Sequence, residues 1–248
     1  MKKNTIIKIS LLLVAIIAMM FVPYATGYGN VKKDLVHWVA LLWKNPDWQH
    51  CAFVPFLSIF LLYKDRDVLT KFPNKPSSLG FVTLFLALFV YYAGYKTNYY
   101  YLGWMSVHML VVSFILFWGG VRGLNLMLFH VLFLGFVWPL HFTLATLGFE
   151  LRVIVCKICE TLFNVLGEPT IRSGTGLYSA ATDSLALGER FEVGVAAPCS
   201  GIRSLVSLLL LSAVCGFFAY KEGWKRILTT ASAIPLAIIG NVVRITLL

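Results

Sequence analysis

The chain repeatedly runs apolar for about 17 to 24 residues, the length an α-helix needs to cross the hydrocarbon core of a bilayer. Such runs cover about 6–23, 79–95, 99–118, 124–142, 201–220 and 227–248. A shorter run at 51–63 contains Pro55 and is extended toward Trp48 to complete a seventh span. Charged residues make up 13% of the chain, where a soluble domain carries about a quarter. The expected fold is therefore all-α, a polytopic transmembrane helical bundle in which one membrane domain accounts for residues 1–248.

The net charge of +10 does not point to nucleic acid, because the bases are scattered between apolar runs. Short Lys- and Arg-rich loops beside spans are what the positive-inside rule produces. With the amino terminus in the cytoplasm, seven crossings place 63–76, 119–123 and 221–226 on that side. Those loops and the first residues hold Lys2, Lys3, Lys8, Lys64, Arg66, Lys71, Lys75, Arg122, Lys221, Lys225 and Arg226. Only Asp65, Asp67 and Glu222 of the acidic residues fall inside, so charge and span count agree. The amino-terminal "MKKNTIIKISLLLVAIIAMMFV" is read as an uncleaved first span, since "PYATGYGN" offers no A-x-A cleavage site.

This topology leaves residues 143–198 outside the cytoplasm. Within them "ELRVIVCKICETLFNVLG" (150–167) spaces its apolar residues for a helix lying along the membrane surface. The Gly- and Thr-rich stretch that follows, with alternating runs such as "RFEVGV", predicts a small turn- and strand-rich lobe. That lobe leads directly into "PCSGIRS" (198–204) at the mouth of the sixth span.

Cys199 therefore opens a helix, where the macrodipole and a nearby cation favour thiolate over thiol. The alternative role of a membrane cysteine is a small apolar packing residue, and mid-span Cys215 fits that role. Arg203, four positions on, shares the face of Cys199; snorkelling to lipid phosphates accounts for it equally well. Arg244 is more demanding, because it stands in the almost wholly apolar "AIPLAIIGNVVRITLL". An intramembrane arginine there costs about 2.5–3.5 kcal/mol on insertion scales and ordinarily marks a cavity or partner. Asn241 lies one turn earlier on the same face.

At about 1.5 Å rise per residue, Cys199 to Tyr220 spans about 32 Å and Ile227 to Arg244 about 26 Å. Both segments leave one loop and return through a core about 30 Å thick, so Cys199 and Arg244 are expected at similar depth near the outer face. A thiolate beside a guanidinium suits acyl transfer, with sulfur attacking a peptide carbonyl and Arg244 stabilising the oxyanion. The departing amine needs a proton carrier. His108 and His130 fall inside spans, where packing with a hydrogen bond is the default. Of His37, His50 and His141 on the outer side, His141 in "VWPLHF" is the candidate substitute. "CKIC" (156–159) has redox or metal spacing but no second ligand pair, so no metal and no cofactor is expected. A disulfide among Cys51, Cys156 and Cys159 is open to the sequence, which does not place one.

These motifs resemble the exosortase/archaeosortase family of membrane-embedded cysteine transpeptidases. "APCSGIRSL" (197–205) and "IPLAIIGNVVRI" (234–245) carry the resemblance, preceded by "LGEPTIRSG" (166–174) and "FEVGVAAP" (191–198). The resemblance is strongest over 135–248 and fainter over 45–66. It implies an eight-span protein of the prokaryotic plasma membrane with its site facing outside. Its partners would be exported proteins bearing a carboxy-terminal signature, a transmembrane helix and a basic cluster, with a cell-surface acceptor for the cut end. By motif match Cys199 is the nucleophile and Arg244 the oxyanion stabiliser, supported by Ser200, Gly201, Arg203 and Asn241. The family's third catalytic residue comes from a further span, whereas this sequence stops at Leu248, so the chain is expected to be a truncated form. A transporter component and a catalytically incomplete accessory protein for surface protein or exopolysaccharide assembly are the rival readings.

Overall fold

The structure, a computed structural model, describes residues 3–26, 30–45, 48–138, 141–182, 185–194 and 202–247. It is mostly helical, with one small antiparallel sheet, and divides into two compact units, residues 1–139 and 140–248. Among the described residues three helical stretches are long and apolar enough to cross a membrane: Leu79–Thr97, Tyr100–Val137 and Gly223–Thr246. Ser10–Phe21 and Ser204–Ala219 are shorter apolar helices.

The first unit contains α1 (Lys3–Phe21), α2 (Leu35–Trp43), α3 (Val54–Lys64), α4 (Arg66–Thr70), α5 (Leu79–Thr97) and α6 (Tyr100–Leu134). Helices α5 and α6 form a tight hairpin. Asn98, in the left-handed region at φ 63°, ends α5, and its side-chain oxygen accepts from the Thr26 N–H at 2.7 Å. Tyr24, fully buried, donates its hydroxyl to the Tyr91 carbonyl at 2.7 Å. Trp38 and Trp104 donate their indole N–H groups to the carbonyls of Ala25 and Leu35. Large aromatic bodies thus fill this core while their polar tips stay satisfied.

Two expected spans take a different form. Pro55 falls in the first turn of α3, where a missing N–H costs nothing, and the residues before it, Gln49–Phe53, form a 3-10 turn. The resulting α3 has 11 residues, about 16 Å at the helical rise, short of a bilayer crossing. At the turn expected over 119–123 the helical stretch breaks, with Gly120 at φ 60° and ψ −164° and a helix on either side. Beside the break, the Ser77 N–H donates to the Leu116 carbonyl at 3.2 Å. Gly119 and Gly123 admit the Phe72 ring against the same face. Beyond the break, His130 Nε2 lies 3.4 Å from Asp65 Oδ2, and His108 Nδ1 accepts from the Trp138 indole. Both intramembrane histidines are therefore hydrogen-bonded packing residues, as their positions predict. Helix α6 ends at Leu134, before the expected limit of 142. The residue before Pro139 is held extended, and Trp138 has φ −87° and ψ 118°.

The second unit contains α7 (His141–Val165), β1 (Thr170–Ser173), β2 (Gly176–Ser179), β3 (Glu192–Gly194), α8 (Ile202–Ala219), α9 (Gly223–Ala231) and α10 (Ala233–Thr246). A helix covers the expected stretch but begins at His141 rather than 150. It ends in a Schellman motif, with Glu168 N–H bonded to the Phe163 carbonyl and Gly167 at φ 88°. The strand-rich lobe is a three-stranded antiparallel sheet in the order β1-β2-β3. Ser173 pairs with Gly176, and Gly174 at φ 60° opens the two-residue turn between them. The Asn164 amide exchanges two hydrogen bonds with the backbone of Thr170, docking β1 onto the end of α7.

Gly120 gives the sharpest test of this fold. A Cβ there would sit 2.6 Å from the Lys75 carbonyl oxygen, at a φ that L side chains rarely adopt. Gly120→Ala is expected to destabilise the protein by about 1–3 kcal/mol. Thermal unfolding of the purified chain in detergent measures this, and an unchanged midpoint would refute the break.

Candidate functional site

Helices α8 and α9–α10 form an antiparallel hairpin whose tip is residues 220–222. The tip is held by Arg226, which donates from Nε to the Tyr220 carbonyl at 2.8 Å and lays its guanidinium 4.6 Å from the Phe217 ring centre. Gly216 allows the close approach, since a Cβ there would meet the Arg226 backbone at 3.3 Å. Because the two arms pack along each other, the far end of α10 returns toward the beginning of α8.

Arg244 occupies the last turn of α10 with its side chain exposed, and Asn241 is half-buried one turn earlier. A cation in a last turn is favoured by the helix macrodipole. Arg203 is the second residue of α8 and His141 the first of α7, though both side chains lie outside the described residues. Cys199, Ser200 and Gly201 lie outside the described residues altogether. Cys199 precedes Ile202, the first residue of α8, by three positions in the sequence.

The turn that bears Arg244 is anchored by α7. Ile245 is buried in a small core with Val155, Cys156, Cys159 and Leu177, and Val242 packs against the same group. Thr246 donates to the Val242 carbonyl at 2.8 Å, and the Cys159 sulfur lies 4.0 Å from that oxygen. His141 opens α7 at the far end, about 27 Å along the helix from Cys159 at the standard rise. A proton carrier at that end does not share the Arg244 turn.

The "CKIC" pair takes a structural part that its spacing did not announce. Both thiols are free and fully buried, with Cys156 3.6 Å from the Thr175 carbonyl at the hairpin turn. Among the described residues no group of three or more His, Cys, Asp or Glu side chains could hold a metal. Glu160, one turn on from Cys156, accepts from the Arg172 N–H at 3.1 Å and faces its guanidinium at 3.5 Å. Sequence reading passed over this pair, because partners 12 residues apart across a helix–strand junction leave no local periodicity.

Burial pushes both thiols above their ordinary value, outweighing the arginines Arg152 and Arg172 near Cys156. Their thiolate fraction at neutral pH is thus below that of a free cysteine. A water-soluble maleimide should label Cys156 and Cys159 only after unfolding, and labelling should not rise until pH exceeds the usual thiol range. Rapid labelling of the folded chain at neutral pH would contradict this packing.

Comparison with protein families matches residues 42–248 to the family described as transmembrane exosortase (Exosortase_EpsH). No curated protein and no solved structure matches the chain. The matched region begins within α2 and takes in α7, the sheet and both the Cys199 and the Arg244 motifs. A match over most of a chain whose helices are built to cross a bilayer makes it a membrane protein, and it belongs to the transmembrane exosortase family.

Proposed function

We propose that the chain is a cysteine transpeptidase or protease of the prokaryotic plasma membrane. It cuts the carboxy-terminal sorting tail of exported proteins and passes the new end to a cell-surface acceptor. The amino terminus is cytoplasmic and the site faces outside, an orientation supported by the basic residues of the loops at 63–76 and 221–226. The observation that carries the reading is the α8–α10 hairpin, which returns the Arg244 turn toward the helix start that Cys199 immediately precedes.

In this mechanism the Cys199 thiolate attacks the carbonyl carbon of the scissile peptide, and the carbonyl oxygen takes up negative charge. The Arg244 guanidinium stabilises that oxyanion, most strongly where hydrocarbon excludes water. Collapse breaks the C–N bond, the amine leaves with the proton that the Cys199 thiol gave up on ionising, and a thioester remains on Cys199. An acceptor nucleophile then attacks the thioester and regenerates the thiol; water in that role gives hydrolysis. Ser200, Gly201, Arg203 and Asn241 shape the site around the thioester. A positively charged guanidinium at Arg203 and the amino end of α8 both favour the thiolate of Cys199.

Co-expression with a tagged exported protein bearing a sorting tail tests this, read as the shift from full-length to processed reporter. Cys199→Ala should abolish processing, while Cys215→Ala, exposed about four turns into the apolar helix α8, should leave it intact. Arg244→Ala should lower turnover about 10²–10³-fold, the usual loss of an oxyanion donor. His141→Ala should leave turnover near wild type, given its place along α7. Undiminished processing by Cys199→Ala would overturn the proposal in favour of a transporter or accessory protein.

A further inference from the structure

Helix α1 carries a stripe on one face, with Lys8, Leu11, Ala15 and Ala18 spaced three or four residues apart. Opposite it run the early turns of α5 and the middle of α6. Between them lies an open apolar groove of about 480 Å³, whose walls include Phe81, Phe117 and Trp118. Ala15 and Ala18 give the groove its depth on the α1 side. On the other side, Phe81 stands edge-on to Phe117, with ring centres 4.8 Å apart. The volume falls within the range of small-molecule sites, and the groove is half open along its length.

One end of this groove is charged. The Lys8 ammonium stands 5.3 Å from the Trp118 ring centre, one turn before Leu11 on the same stripe. Among the described residues no carboxylate pairs with it. The groove thus offers an apolar channel for a hydrocarbon chain and a cation for an anionic head at the channel's end. Its α1 wall precedes the matched residues 42–248 in the sequence.

We infer that the α1–α5–α6 groove binds an anionic phospholipid, acyl chain along Leu11, Ala15 and Ala18, phosphate at Lys8. Charge complementarity selects the occupant. A zwitterionic lipid would neutralise its own phosphate and leave the ammonium without a net counter-charge, and an apolar helix would leave it bare.

The test uses the purified full chain in detergent, offered phosphatidylglycerol and phosphatidylcholine of identical acyl chains, with retained lipid counted by native mass spectrometry. One phosphatidylglycerol should be retained about five-fold in preference, the attraction of a single lysine for an anionic headgroup. Lys8→Gln should bring the two lipids to parity, while Lys64→Gln leaves the preference unchanged. Ala18→Phe, which fills the groove, should lower retention of both at an unchanged melting temperature; if that variant fails to fold, Lys8→Gln decides. Equal retention of both lipids by the wild type, or a preference that survives Lys8→Gln, would overturn the inference. So would a dimer that retains neither lipid, since a second copy's helix would then fill the groove.

Discussion

Backbone hydrogen bonding in hydrocarbon governs this molecule, because a bare N–H or C=O in lipid costs several kcal/mol. Long helices satisfy the requirement internally, and each departure from helix has to be met by a specific partner. The break at Gly120 is the clearest case. There the Ser77 N–H, from the chain before α5, donates to the Leu116 carbonyl. Only glycine tolerates both the positive φ and the Lys75 carbonyl against its Cα, so backbone conformation and packing converge on one residue. The end of α5 follows the same logic, with Asn98 turning left-handed and spending its side chain on the Thr26 backbone.

The second unit solves a different problem, that of joining a surface helix, a small sheet and an apolar hairpin. Helix α7 is the common support. Its carboxy-terminal end docks β1 through Asn164, and its buried cysteines pack beneath both the hairpin turn at Thr175 and the last turn of α10. Sulfur suits that place because it is small, polarizable and able to direct a weak S–H toward a backbone carbonyl. Arg244 is thereby carried on a turn whose opposite face is fixed by Ile245, leaving the guanidinium exposed. A rigid support on one side and an open side chain on the other is the arrangement that a charge-stabilising group needs.

Some elements were legible in advance for good physical reason. Helices α1, α5, α7 and α8 follow from apolar runs and periodicity that act within one segment. The small lobe follows from its glycines and alternating strands. Elsewhere the boundaries were misjudged. The run at 51–63 reads as a span by hydropathy, yet Pro55 starts a helix of only 11 residues there. The stretch at 119–123 reads as a turn by its glycines, and the helix does break there at Gly120, where the glycines also admit Phe72 and the Lys75 carbonyl. The Cys156–Cys159 spacing reads as ligand or redox chemistry, whereas burial against α10 makes the pair a packing element.

The sequence by itself determined the class of molecule: apolar runs demand helices in a membrane, and the Cys199 and Arg244 motifs mark the family. It also placed those motifs on helices consecutive in the chain, because that follows from counting residues. Tertiary structure alone decided which helices run unbroken, which face of α10 is anchored to α7, and that an apolar groove ends at Lys8. Those outcomes depend on contacts between residues far apart in the chain, such as Ser77 with Leu116 and Cys159 with Val242. Such contacts arise from shape and from the need to satisfy each freed carbonyl, and neither leaves a periodic trace in a single segment.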